Sequence, residues 1–204
     1  MRPAAARPAG RPRNPGLDRA ILAAAEQQLR EAGYAGMSLE SVAAAAGTTV
    51  PAVRRRFRGK AGVAVAVVDS LRAEPMPAGS GPPRSRALAV LRNFRANLLR
   101  GNSMAVVGSL LAEERRHPEL LAAFRSRLAE PRRAALREVL AEGISCGELP
   151  DSADPDVLAG MLTGSFYARY IATSDIPEDW AEQTLRQVWP DAPGAQPAAR
   201  LNTP

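Results

Sequence analysis

Apolar residues along this chain recur at helical spacing, and nowhere do they alternate as they would along a half-buried strand. From residue 17 onward, Ile21, Leu22, Ala25 and Leu29 line one face of a first helix, which Gly33 stops. Leu39, Val42, Ala43 and Ala46 then repeat at i, i+3, i+4 and i+7 behind Ser38, whose hydroxyl can accept a bond from an orphan N–H of the first turn. Gly47 fits the turn that ends this second helix, because a positive φ there costs glycine no Cβ clash. Thr49 is placed to cap a third helix with Pro51 in its first turn, where no N–H is needed, and Val50, Val53 and Phe57 on one side. A fourth helix follows Lys60, carries Val63, Val67 and Leu71, and ends before Pro75.

Beyond the Pro- and Gly-dense residues 74–83, which read as a loop, the pattern stays helical. It predicts helices over residues 84–100 and 103–116, and a long one over 118–145 that Pro131 bends or splits. Two more are predicted over residues 154–173 and 178–189. Residues 1–16 and 191–204, rich in Pro, Ala and Arg or Gly, read as disordered ends. The expectation is an all-α chain of about nine helices. It comprises a three-helix helix-turn-helix head at residues 17–73, with its motif at 38–57, and a helical body at 84–190.

Two short helices joined at a glycine, the second bearing arginines, form a device that reads DNA. On a wheel at about 100° per residue, Arg55 lies opposite the apolar side of the third helix, Pro51 and Ala52 flank it, and Arg54 and Arg56 occupy the shoulders. Arg55 can then reach a guanine edge, Pro51 and Ala52 thymine methyls, and the shoulder arginines phosphates. Ser38, Thr48, Thr49 and Val50 belong to the same expected surface. Lys60 opens a helix just after a glycine, and a helix N-terminus plus an ammonium makes a phosphate clamp.

Charge agrees with that division. The net charge is +6 over 204 residues; residues 1–72 hold twelve Arg or Lys against five acids, a surplus of +7, so the rest sums to −1. A basic head on a near-neutral body is the electrostatic footprint of phosphate binding by one part only. Lys60 is the chain's only lysine. Cys146 is the only cysteine and His117 the only histidine, so no intrachain disulfide and no Cys/His metal site is expected, and a reducing cytoplasm fits. The longest apolar run, near residues 157–171, falls short of the ~20 residues of a bilayer span, and no membrane association is expected.

The stretch from Asp18 to Leu71 resembles the tetracycline-repressor (TetR) family of bacterial transcription regulators. Gly33 and Tyr34 close the first helix, Ser38 opens the second, Ala46, Gly47 and Thr49 make the turn, and Phe57 and Lys60 close the pattern. Arg54 stands where the family usually has an aromatic, and Ala61 where it commonly has Glu. The resemblance implies a homodimer whose last two long helices pair with their mates. Gly160, Gly164, Ala168 and Ala172 recur every four residues and would let another helix approach closely, with Trp180 and Trp189 as expected anchors. It also implies an effector cavity in the body. Bulky residues that would suit an apolar ligand are Phe94, Leu98, Met104, Val107 and Leu111, and further along Phe124, Leu128, Phe166, Tyr167 and Tyr170.

The function expected is thus a ligand-responsive, homodimeric DNA-binding regulator, a repressor that a small apolar effector releases from a palindromic operator. The alternative is a DNA-binding dimer with no small-molecule effector. Two heads on a twofold axis would read half-sites roughly 34–36 Å apart or related multiples. An effector could move such an equilibrium from 1:99 to 99:1 only with ~5.5 kcal/mol of differential affinity. An enzyme is not expected: the chain has no GxSxG, P-loop or HExxH, and no cofactor motif.

Overall fold

The computed structural model describes residues 14–71, 79, 81–100 and 103–190. The arm up to residue 13, most of the 74–83 loop and the 191–204 tail lie outside the described residues. Every described regular element is helical. The chain divides into two compact units: the described residues of Met1–Ser70 with Ala105–Leu121, and those of Leu71–Met104 with Ala122–Pro204. Residues 105–121, expected in the body, therefore join the head's unit.

In the first unit, α1 (Pro15–Glu31) begins two residues before the expected start. The Asn14 Oδ1 caps it, accepting from the backbone N–H of Gly16 at 2.9 Å and of Leu17 at 3.4 Å, and Pro15 loses no bond at N1. Ile21, Ala25 and Leu29 are buried along its inner face, whereas Leu22 is half-buried. A four-residue helix that the periodicity does not reveal, α2 (Gly33–Gly36), follows and buries Tyr34. Next come α3 (Leu39–Ala45), α4 (Val50–Phe57) and α5 (Lys60–Ser70), with α1 packing on α3 and α5, and α4 on both α3 and α5.

Ser38 caps α3 as its sequence position implies, its Oγ accepting from Ser41 N–H at 3.1 Å. At the other end Gly47 takes φ +63°; its N–H donates to Ala44 and that of Thr48 to Ala43, the paired bonds of a Schellman motif. Thr49 holds the extended N-cap conformation before α4 but makes no side-chain capping bond.

Later elements are α6 (Pro83–Leu99), α7 (Ser103–Ala112), α8 (Pro118–Phe124), α9 (Glu130–Ser145), α10 (Pro155–Thr173) and α11 (Trp180–Val188). The break in the long helix falls before Pro131, as a π-helical turn over Arg125–Ala129. Pro131 cannot donate to the carbonyl four residues back and its ring crowds that group, and a wider turn relieves both problems. Glu130 N–H reaches back to Arg125, and the Arg132 Nη1 donates to the Leu128 carbonyl at 2.9 Å. In the second unit α9 packs against α6 and α10, and α11 against α6 and α10.

Candidate nucleic-acid interface

The motif sets its basic residues apart by what each side chain touches. Val53 is the fully buried anchor of α4, with Val50 and Phe57 half-buried beside it. Pro51, Arg54 and Arg55 are exposed, Ala52 and Thr48 half-buried, and Thr49 exposed at the leading end. Among the described residues the side chains of Arg54 and Arg55 make no ion pair or hydrogen bond.

Arg56 differs. Its Nε donates to Asp18 Oδ1 at 2.8 Å and its Nη1 to the Ala52 carbonyl at 3.2 Å. A shoulder arginine expected to face phosphate is thus tied to the first turn of α1. Arg58, which sequence reasoning passed over, is exposed and has no side-chain partner among the described residues. It occupies the left-handed region at φ +59°, a conformation that non-glycine residues hold at a cost of about 1–3 kcal/mol. The signal that could have found it was the RRRFR run itself.

Ser38 is half-buried beside the second helix's start. Gln28 of α1 stitches this corner: its Nε2 donates to Ser41 Oγ at 2.9 Å, and its Oε1 accepts from Ser38 N–H at 3.4 Å. Lys60 begins α5 with its ammonium over the Tyr34 ring, 4.6 Å from the centroid, and Nζ donates to the Ala35 carbonyl at 3.2 Å. Tyr34 is itself clasped within this unit: its N–H donates to Ser109 Oγ at 2.6 Å, and its ring meets His117 edge to face at 4.7 Å. Burial first, then the Glu119 and Glu113 carboxylates, pushes the Tyr34 phenol above its ordinary range.

In the second unit the exposed face of α10 carries Gly160, Gly164, Ala168 and Ala172, edged by Met161 at 58% and Ile171 at 82% exposure. Trp180 and Trp189, expected to anchor a partner, are each only 2% exposed and so are spent inside their own unit. Trp189 lies against Gly143, where an added Cβ would meet the indole at 2.3 Å.

Of the expected effector-contacting residues, Phe94, Leu98, Leu128 and Phe166 are buried in the second unit, and Met104, Phe124, Tyr167 and Tyr170 are half-buried there. Phe94, Phe166, Tyr167, Tyr170 and Trp180 form one aromatic cluster, with Phe166 5.4 Å from both Phe94 and Trp180. Burial pushes the Tyr167 phenol up, and Arg132 partly offsets that. Val107 and Leu111 instead fall in the first unit, and Leu111 is exposed, which removes it from any enclosed wall. Among the described residues no helix is long and apolar enough to cross a membrane, and no three His, Cys, Asp or Glu side chains gather as metal ligands do.

A helix pair joined by a glycine turn, its first helix capped by Ser38 and its second bearing outer-face arginines without partners among the described residues, defines a helix-turn-helix DNA-binding head. The comparisons agree. Residues 21–67 match the family model described as bacterial regulatory proteins of the tetR family, and residues 77–188 match that for a tetracyclin repressor-like C-terminal domain. The chain is similar to the HTH-type transcriptional regulator YdeS of Bacillus subtilis, 25% identical over 83% of this chain and 86% of that one. It shares its fold with the fatty acid degradation regulator FadR from Bacillus halodurans, at TM-score 0.66 and 19% identity over 87% of this chain and 96% of that one. It shares it also with AibR, solved with isovaleryl coenzyme A and operator DNA, at TM-score 0.63 and 20% identity over 85% and 98%. The chain belongs to the TetR family of transcriptional regulators.

Proposed function

We propose that this DNA-binding regulator acts as a homodimeric repressor that reads a palindromic operator and lets go when a small, largely apolar effector binds its second unit. One observation carries the DNA-reading assignment: Arg54, Arg55 and Arg58 are exposed together on and just after α4 and are not spent on partners among the described residues, while Arg56 is. Arg55 reads a base edge, Pro51 and Ala52 offer apolar contact to thymine methyls, and Arg54, Arg58 and Lys60 meet phosphates. Ser38, Thr48, Thr49 and Val50 contribute the motif's leading edge.

Support for self-association is the exposed small-residue face of α10, flanked by Met161 and Ile171. Side chains that large facing water lose ~25 cal/mol for each Å2 of apolar area left uncovered, which a second copy of α10 would recover. Support for an effector is the aromatic cluster inside the second unit, together with AibR, a fold neighbour solved with isovaleryl coenzyme A. A hydrophobic acyl group is the ligand class this suggests. The work of such a regulator belongs in the cytoplasm, with the DNA.

The test is a gel shift with intergenic DNA flanking the protein's own gene. Arg55→Ala should cost about 1–3 kcal/mol and relax preference at one position of each half-site. Acyl compounds that raise the protein's melting temperature should also weaken the shift. Failure to retard any such fragment over nonspecific DNA would sink the operator assignment.

A further inference from the structure

We propose that Tyr34 is the positioning residue for Lys60, holding its ammonium ready for a DNA phosphate, and that Ser109 and His117 hold Tyr34 in turn. This rests on Lys60 contacting phosphate, as proposed above.

A lysine on its flexible four-carbon stem surrenders much rotamer freedom when it clamps an anion. Lys60 has given up much of that freedom already. Its Nζ sits 4.6 Å from the centre of the Tyr34 ring and bonds the Ala35 carbonyl at 3.2 Å. An ammonium has three donors, so the carbonyl leaves two for phosphate oxygens. Preorganisation of this kind raises affinity by removing an ordering cost rather than by adding a contact.

The platform beneath Lys60 is rigid for reasons lying far along the chain. Tyr34 is buried, and its N–H bonds Ser109, 75 residues away, at 2.6 Å. The His117 ring packs edge to face against the phenol at 4.7 Å, and its Nδ1 lies 3.2 Å from Glu119 Oε1. The aim of Lys60, at the edge of the helix-turn-helix, thus depends on two side chains from Ala105–Leu121, the segment that joins the head's unit.

The experiment is fluorescence anisotropy over a salt series, using the full-length protein and a labelled duplex selected from a random pool by the unmutated chain. Lys60→Ala should flatten the slope of log K against log salt by about 1 per lost contact. Tyr34→Phe keeps the ring and should bind like the unmutated protein. Tyr34→Leu should bind about two- to fivefold more weakly, and His117→Leu should move in the same direction. In a Lys60→Ala background neither leucine variant should weaken binding further, because the residue they act through is gone. Equal losses in both backgrounds overturn the inference, as does a Tyr34→Leu variant that binds normally. If Tyr34→Leu fails to fold, judged by thermal unfolding without DNA, His117→Leu completes the cycle and decides it alone. A Lys60→Ala variant with an unchanged salt slope overturns the phosphate contact itself, a separate and recognisable failure.

Discussion

Arg56 sits in the middle of an arginine run, yet the structure gives it a different job from its neighbours. Replacing it with alanine should damage the fold and spare the DNA contact. Its Nε lies 2.8 Å from Asp18 Oδ1, with side-chain exposures of 15% for Arg56 and 32% for Asp18. Exposed pairs contribute about 0–1 kcal/mol, and breaking a fully buried one costs about 3–5 kcal/mol. A pair of intermediate exposure that also loses the bond to the Ala52 carbonyl should therefore cost about 1–2 kcal/mol. For a chain of this length, thermal unfolding should drop by about 2–8 °C. Arg54→Ala, at an exposed site without partners, should stay within about 0.5 kcal/mol in stability. Its salt slope of DNA binding should flatten by about 1 per contact. Asp18→Asn supplies the third arm: weakening the tether frees Arg56 toward the duplex, so the salt slope should steepen while the melting temperature falls. Circular-dichroism melts and anisotropy titrations on the same three proteins give both readouts. The assignment is refuted if Arg56→Ala flattens the salt slope as Arg54→Ala does and leaves the melting temperature unchanged.

Gly143→Ala should destabilise the second unit by about 1–3 kcal/mol in urea unfolding, because its Cβ would land 2.3 Å from the Trp189 ring. Ser38→Ala should cost about 1 kcal/mol through its lost cap, read in the same experiment. Gly164→Arg, on the exposed face of α10, should leave the melting temperature of a dilute sample nearly unchanged but yield a monomer by light scattering; a persistent dimer would place the interface elsewhere. Tyr34 and Tyr167 should titrate by ultraviolet absorbance above the ordinary tyrosine value of 10.0. Because their folded pKa values are raised, the stability they contribute is fully present below about 10 and is lost as pH climbs from there through the folded values.

Local chemistry was legible in the sequence and distant pairing was not. Ser38 and Gly47 announce a helix start and stop by side-chain and backbone properties that act within a few residues, and both do in the fold what those properties imply. The helical period likewise placed Ile21, Ala25, Leu29 and Val53 inside. The partnership of Arg56 with Asp18, 38 residues away, has no local signal, so a wheel could only sort Arg56 by angle. The burial of Trp180 and Trp189 has no local signal either, since a large aromatic reads alike whether it fills its own core or a partner's. Pro131 marked a break correctly, but the strain it causes lies upstream, at the carbonyls it cannot serve, which is where the π turn forms.

The seat of Lys60 has a practical side. As the chain's only lysine, it is, apart from the α-amine, the one nitrogen that an amine-acylating reagent can modify. Its rate of modification is therefore a single-atom gauge of the DNA-binding head. An ammonium engaged with a carbonyl and a ring reacts slowly, one shielded by a duplex slower still, and one released from Tyr34 fastest. Acylation also erases the charge, so with Lys60 at a phosphate as proposed, acetylating this one side chain should weaken the protein's hold on every DNA sequence at once.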